Sequence, residues 1–453
     1  MKKISILFFM CILIAYSANV FGTSTEQPEL LCQSAVLIDA NTGIVLYEKN
    51  ADEVQYPAST TKVMTALLLL EKIKTDAGFI PAVTDDPLSS PSFDVKIYFS
   101  QEAVGSIEVG SSNIAMNPDE TLTARDALYA IMLPSANEVS AAIAEYVSGS
   151  LEDFAALMTE RAKELGCTDT NFKNAHGLPD DEHYTTAHDL ARIFEEAVKH
   201  PEFIEAISTV SYQIAPTEKQ PENRNIANSN KLIKQGEFYL DYIVGGKTGY
   251  TDAARHTLVV LGEKDGKKLI CALLHGEKNE PYKDAETLME YGFSFPYVQK
   301  EPFSADFKTN IIIEGISVSA VPSEKVSFLV PEQTTMEVFA NWDANATLPV
   351  DAGDSVGVLT ISSNGQYLGT VGLLAAESVA APVVEDLSEQ EAEFVFAENT
   401  ENVTAEKNKK SPVVVITLIV TGLLVAGIIA AYFFRSKLKE LLFPKKREYP
   451  LRR

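Results

Sequence analysis

The order of apolar patterns along the 453 residues predicts an α/β (α+β) fold, a mainly antiparallel sheet flanked by helices and followed by a small all-β domain. Three observations carry this expectation. Short strand-like runs fall in two blocks far apart, at 34–48 and 243–274, and together they supply about five strands. Between the blocks a helical period recurs over Val63–Leu70, Leu122–Leu133, Glu138–Val147, Leu151–Leu165 and Ala187–Val198. From about Val298 to Ala380 the pattern changes to short alternating runs without helical period.

In chain order, residues 1–22 open with Met1-Lys2-Lys3, run apolar from Ile4 to Ala15 and end in small residues near Gly22. This is the layout of a secretory signal. Ser34–Asp39 and Ile44–Glu48, joined by Ala40-Asn41-Thr42-Gly43, read as a hairpin. Pro57 then introduces a helix in which only Thr65 interrupts the apolar run from Val63 to Leu70, the signature of a central core helix. Residues 77–94, rich in Pro, Ser and Asp, read as an irregular surface insertion. The helices at 122–133 and 138–147 are split by Pro134-Ser135-Ala136-Asn137. The loop before the helix at 187–198 carries His176, Gly177, His183 and Tyr184, histidines best read as structural. Ile243–Gly249, Thr257–Leu261 and Lys268–Leu274 read as strands, the last two hinged at Asp265-Gly266, and Tyr282–Tyr291 as a closing helix.

After the all-β region at 299–380, residues 381–411 form an acidic, Ala-rich linker. Residues 412–434 are uncharged and long enough to cross a bilayer as a C-terminal transmembrane helix. The tail at 435–453 holds eight Lys/Arg against two Glu, which places it in the cytoplasm and the bulk of the chain outside. The overall charge of −25 therefore hides a tail of +6 behind a body of −31. An acidic body of this kind argues against nucleic-acid binding. Four cysteines, one of them Cys11 in the signal, leave Cys32, Cys167 and Cys271 widely spaced, so no disulfide framework is implied.

Chemistry enters at the head of the core helix. Ser59 falls in or beside its first turn, where backbone N–H groups are unpaired, and Lys62 follows three residues later on the same face. A hydroxyl and an amine so placed make a nucleophile and its base. Alone, the pattern is far more often a cap beside a solvated lysine, but a buried helix is a poor place for a lysine with no task.

Two further motifs follow in order, Ser135-Ala136-Asn137 and Lys247-Thr248-Gly249. The set S-x-x-K, S-x-N, K-T-G is that of penicillin-binding proteins and class A β-lactamases. The stretches S-A-V-L-I-D-A-N-T-G, Y-P-A-S-T-T-K-V-M-T-A, L-P-S-A-N-E, N-A-H-G-L, H-Y-T-T-A-H-D-L-A and G-G-K-T-G-Y-T bring the likeness closer. Over residues 31–298 the chain resembles the serine-type D-alanyl-D-alanine carboxypeptidases, the low-molecular-mass penicillin-binding proteins. The resemblance implies a β-lactamase/transpeptidase-like catalytic domain, peptidoglycan stem peptides ending in D-Ala-D-Ala as substrates, and β-lactams as covalent inhibitors. It implies no metal and no organic cofactor.

Carried over by resemblance, Ser59 is the acylated nucleophile and Lys62 its base. Ser135 and Asn137 relay the proton and hold the substrate peptide. The edge strand with Lys247, Thr248 and Gly249 receives the extended peptide and its terminal carboxylate, and the N–H groups of Ser59 and Tyr250 make the oxyanion hole. Burial and the neighbouring Lys247 are expected to push the Lys62 amine down into a range where it can act as base. Departures from the family pattern are Ser229 in Asn228-Ser229-Asn230, where some relatives carry arginine, and Arg255, where relatives often have glycine; Arg255 is the candidate to replace the missing cation. Two alternatives stand beside this reading. A β-lactamase of the same fold is disfavoured because no activating glutamate shows near Leu178–Thr186, and a non-hydrolytic sensor or wall-binding protein is disfavoured by the intact Ser59, Lys62 and Lys247.

Overall fold

A computed structural model of the chain describes residues 27–381 apart from residues 77, 83 and 344. The expected signal at 1–22, the linker after residue 381, the span at 412–434 and the tail at 435–453 lie outside the described residues.

The hairpin is present as β1 (Ser34–Asp39) and β2 (Val45–Lys49), paired antiparallel. Asp39 shapes the turn between them, its Oδ1 accepting from Thr42 N at 2.8 Å and Thr42 Oγ1 at 2.7 Å. A single 3₁₀ turn, Ala58–Thr61, then leads into α1 (Lys62–Thr75), in which every side chain from Lys62 to Leu70 is buried. Each fully buried leucine of this helix is worth roughly 2 kcal/mol of transfer free energy. Neither the turn nor α1 has a side-chain cap, so their first N–H groups are not spent on a capping oxygen.

The segment read as a surface insertion is only partly that. It is irregular, but two 3₁₀ turns drive Leu88 and Phe93 fully into the core, each turn capped by the side chain of Asp86 or Ser90. Two isolated apolar anchors among Pro and Ser have no period to betray them. The short β3 (Lys96–Tyr98), the one-turn α2 (Gln101–Gly105) and β4 (Thr121–Thr123) follow, β3 pairing with β4. The next helix begins at Ala124, two residues later than its period suggests. Thr123 Oγ1 accepts from Asp126 N at 3.0 Å and fixes that start.

The remaining helices are α3 (Ala124–Met132), α4 (Asn137–Ser148), α5 (Leu151–Glu164), α6 (Ala187–Ala197) and the shorter α7 (Pro201–Ser208). A small ribbon, β5 (Ser211–Ile214) with β6 (Arg224–Ala227), precedes the second strand block. That block is β7 (Ile243–Thr251), β8 (Arg255–Lys264) and β9 (Lys267–Gly276), closed by α8 (Glu280–Ser294).

The five expected strands form one antiparallel sheet in the order β2-β1-β9-β8-β7, with Leu37 of β1 opposite Cys271 of β9. Val36, Val259, Ile270 and Ala272 face the helical layer around α1, while Leu37, Leu258, Val260 and Cys271 face α8. Both faces are covered, which is why these strands read as continuous apolar runs. Cys32, Cys167 and Cys271 are free, buried thiols, as their spacing implies.

The all-β region holds β10 (Tyr297–Lys300), β11 (Thr309–Ile313), β12 (Ile316–Pro322), β13 (Phe328–Pro331), β14 (Glu337–Trp342), β15 (Ser355–Ser363) and β16 (Gln366–Ala375). Five of them make a sheet, β11-β12-β16-β15-β14, over a separate core that includes Val318, Leu359 and Leu373. Tyr297 Oη donates to Asp39 Oδ2 at 2.7 Å and Gln366 Nε2 to Glu195 Oε2 at 2.9 Å, so the two regions are joined by polar contacts.

Candidate active site

Three elements meet at the N-terminal end of α1. The 3₁₀ turn carrying Ser59 is held by its own Pro57 carbonyl, which accepts from Thr60 Oγ1 at 2.7 Å and from Thr257 Oγ1 of β8 at 2.9 Å. Ser59 remains half-buried, reachable from outside. One turn on, Lys62 is fully buried, and its Nζ lies 2.7 Å from Asn137 Oδ1, 2.7 Å from the His176 carbonyl and 3.1 Å from Ser59 Oγ. Asn137 Oδ1 and the carbonyl can only accept. A neutral amine has two N–H bonds and one lone pair, so donation to these two acceptors turns the lone pair toward the Ser59 hydroxyl.

The electrostatics favour that neutral amine. Burial, and after it the charge of Lys247, hold the Lys62 amine well below the usual lysine range, with Glu138 acting in the opposite sense. Lys247, fully buried on β7, is itself pushed down to about 7 by burial, and its Nζ donates to the Thr248 carbonyl at 2.9 Å.

The break between α3 and α4 presents the second motif. Ser135 sits in the left-handed region at φ 70°, a strained conformation for a non-glycine residue. The break is fixed on three sides: Ala136 N donates to Ala130 O at 3.0 Å, Asn137 N to Ser112 O at 2.8 Å, and Ser229 N to Leu133 O at 3.1 Å. Ser135 Oγ is buried and has no hydrogen-bond partner among the described residues. An unspent hydroxyl between helix ends is suited to a substrate group.

β7 is the edge strand of the sheet, as the peptide-binding role requires. Gly249 lets that edge lie against the serine turn, since a Cβ there would sit 2.9 Å from Ser59 N and 2.3 Å from Thr257 Oγ1. Gly177 does the same from the opposite side, where a Cβ would come within 1.9 Å of the Ala58 carbonyl. Thr248 Oγ1 is paired with Ser229 Oγ at 2.7 Å. Tyr250 is half-exposed, its hydroxyl donating to Asp252 Oδ1 at 2.8 Å, so its side chain faces away from the chemistry expected of its backbone.

Ser59, Lys62, Ser135, Asn137, Lys247, Thr248 and Gly249 thus belong to one site. Arg255 is turned toward Glu277, its Nε 3.8 Å from Glu277 Oε1 at the exposed start of β8. His183 is structural, with Nδ1 accepting from Lys173 N at 3.1 Å and Nε2 facing Thr61 Oγ1 at 2.8 Å. Burial pushes His183 down to about 4 and His176 to about 3, so both rings are neutral. The reading of the residues assigned no role to the His176 carbonyl or to Glu138; the quoted N-A-H-G-L and L-P-S-A-N-E stretches contain both, but a backbone acceptor leaves no mark in residue type. In the loop near 178–186, Asp180, Asp181 and Glu182 are all exposed, and Glu182 pairs with Lys173 at 3.2 Å. No buried carboxylate is offered there to activate a water.

Such an arrangement is competent for acyl transfer through a serine with a lysine base. The family model described as D-alanyl-D-alanine carboxypeptidase matches residues 21–278, and the chain belongs to that family of serine-type peptidoglycan hydrolases. D-alanyl-D-alanine carboxypeptidase DacF of Bacillus subtilis is 30% identical over 393 residues, spanning 83% of this chain and 94% of the relative. DacC of Escherichia coli, under the same description, is 28% identical over 81% of this chain and 89% of its own. Among solved structures, the Streptomyces K15 DD-transpeptidase superposes with a TM-score of 0.52 at 25% identity, over 59% of this chain and 99% of that one. The D-alanyl-D-alanine carboxypeptidase DacD of Francisella tularensis reaches 0.54 at 23% identity over 79% and 95%, a likeness of fold.

Proposed function

We propose that this carboxypeptidase removes the terminal D-alanine of peptidoglycan stem peptides through an acyl-serine formed on Ser59. The observation that carries the assignment is the three-way setting of Lys62 Nζ, two bonds to pure acceptors and the third contact to Ser59 Oγ. Ser59 Oγ gives its proton to the Lys62 lone pair and attacks the carbonyl carbon of the penultimate residue. The N–H groups of Ser59 and Tyr250 meet the developing oxyanion. Ser135 gives its hydroxyl proton to the departing amine and takes one from the Lys62 ammonium in exchange, the C–N bond breaks, and D-alanine leaves with Lys62 neutral again. Water then attacks the ester and gives a proton to the Lys62 amine, and as the ester C–O bond breaks the Lys62 ammonium returns a proton to Ser59 Oγ. β-Lactams enter by the first half of this sequence. The substrate strand lies along β7, its carboxylate toward Thr248, within the field of the buried Lys247.

Ser59→Ala is the test. It abolishes both D-alanine release from a diacyl-D-Ala-D-Ala peptide and covalent labelling by a fluorescent penicillin; labelling that survives on another serine overturns the assignment. For location, the patterns at 1–22 and 412–434 support an exported enzyme held by one C-terminal membrane span, catalytic domain outside and tail in the cytoplasm. Release of the full chain from membranes by salt alone would rule out that anchor.

A further inference from the structure

The mechanism places a proton on an amine that is poorly prepared to hold it. Lys62 has no exposed surface, and a second buried amine, Lys247, acts against any charge it acquires. The N-terminal end of α4, with the positive pole of a helix, stands behind Asn137. Its two fixed acceptors, Asn137 Oδ1 and the His176 carbonyl, are neutral dipoles, and the rings of His176 and His183 stay uncharged. An ammonium in such surroundings costs several kcal/mol unless a negative charge is near.

Glu138 is the group placed to supply it. It is 1% exposed, sits in the first turn of α4 beside Asn137, and is the carboxylate whose field reaches Lys62. Oε1 accepts from Ile114 N at 2.7 Å, the backbone N–H groups of Glu138 and Met116 also favour the charged carboxylate, and Oε2 is buried with no close hydrogen-bond partner among the described residues. Burial raises the Glu138 carboxyl above the usual range, the N–H groups of Ile114, Glu138 and Met116 oppose it, and the charge on Lys62 adds to them, so the two groups are linked through the proton.

We propose that Glu138 is a positioning residue for this reaction: its carboxylate supplies the negative charge that lets the buried Lys62 amine hold the proton taken from Ser59. The proposal rests on Lys62 being the base. Without Glu138 the amine is a weaker base, neutral down to lower pH but less able to draw the proton away.

The experiment is the pH dependence of acylation by a fluorescent penicillin, measured on the full chain for the wild type, Glu138→Gln and Glu138→Asp. Glu138→Gln keeps an acceptor for Ile114 N and removes the charge. Its acidic limb moves down by roughly one pH unit and its maximal rate falls about tenfold. Glu138→Asp keeps the charge, cannot reach Ile114 N, and leaves the limb near its wild-type position. A limb unmoved in Glu138→Gln, or moved in Glu138→Asp alone, overturns the proposal and makes Glu138 an anchor for the 112–115 segment. Should Glu138→Gln not fold, Glu138→Asp decides alone, a wild-type limb supporting the charge and a shifted one refuting it. The base itself is checked separately: normal acylation by Lys62→Ala removes the premise whatever the Glu138 variants do.

Discussion

The region before residue 298 buries ten charged side chains, among them Lys62, Glu120, Glu138, Glu195, Arg224, Lys247 and Asp284, whereas the described part of the all-β region buries three hydroxyl residues, Thr334, Ser362 and Ser363, and no charged one. Both regions have aliphatic cores, and both are built on five-stranded antiparallel sheets. Burying a charge is costly, and each buried charge needs either a partner that holds it or a role in moving protons. Even within the catalytic domain the cases differ. Glu120 and Arg224 neutralise each other at 2.7 Å and so form a structural pair, while Lys62 and Lys247 are two buried amines, each without such a partner, and the charge of Lys247 holds the Lys62 amine down.

The largest test of this contrast sets Lys62→Ala against Leu359→Ala. Loss of the amine should slow acylation by about 10²–10⁴-fold, because the Ser59 hydroxyl keeps its proton. Leu359, fully buried in the β-domain core, should cost about 2–5 kcal/mol of that domain's stability on truncation and leave kcat/KM unchanged. Stopped-flow labelling and calorimetry read the two effects. A catalytic defect in Leu359→Ala would end the separation of the domains.

A second test uses pH. The β-domain holds no histidine, whereas His183 is held near 4 in the fold against an ordinary value of 6.5. A depressed histidine contributes stability that is complete above 6.5 and lost as pH falls through 6.5 toward 4. Holding the ring neutral from 6.5 down to about 4 is worth roughly 3 kcal/mol. In calorimetry the catalytic transition should therefore move down as pH falls across this window, further than that of the β-domain. In His183→Gln, destabilised at pH 7, the gap from wild type should narrow toward pH 4. A constant gap would mean that His183 is not neutral in the fold.

What the residues disclosed follows the same contrast. The hairpin, the core helix and the three motifs were legible because side-chain type carries them: continuous apolar runs for α1 and the sheet, and Ser, Lys and Asn where chemistry demands them. Backbone groups were not. The His176 carbonyl that steers Lys62 belongs to no residue type, and the left-handed turn at Ser135 gives no compositional sign. The ribbons β3/β4 and β5/β6 went unread because three or four residues cannot establish a period. Leu88 and Phe93 were lost among turn residues for the same reason.

Thr248 and Ser229 offer a finer test, on a polar contact at the solvent-exposed side of the site. Their hydroxyls lie 2.7 Å apart, so each restrains the other's rotamer. Thr248→Val removes a donor to the substrate carboxylate and should lower kcat/KM for the free-acid peptide by roughly 1.5–3 kcal/mol, the worth of a hydrogen bond to a charged group. Ser229→Ala removes only the neutral partner and should cost roughly 0.5–1.5 kcal/mol. Against a peptide with an amidated terminus both penalties should shrink. Equal penalties on acid and amide would mean that the pair does not meet the carboxylate.

The smallest effect is expected at Arg255. Part of its interest is that sequence alone makes it the natural substitute for the cation missing at position 229. Its place in the fold argues otherwise. It opens β8 at φ 56°, an unfavourable backbone conformation for any residue with a Cβ, and its guanidinium reaches toward Glu277, 68% exposed, at 3.8 Å. An exposed pair at that distance is worth little. Arg255→Ala should therefore leave kcat/KM for free-acid and amidated peptides within about twofold of wild type, well below the cost of a charge-assisted bond. Arg255→Gly should behave the same in catalysis while gaining roughly 1 kcal/mol of stability by relieving the turn. The two variants separate charge from backbone. A loss confined to the free-acid substrate in both would show that the side chain swings from Glu277 to the carboxylate when substrate binds, and the cation would then be restored to the site from a turn that the unliganded fold holds apart from it.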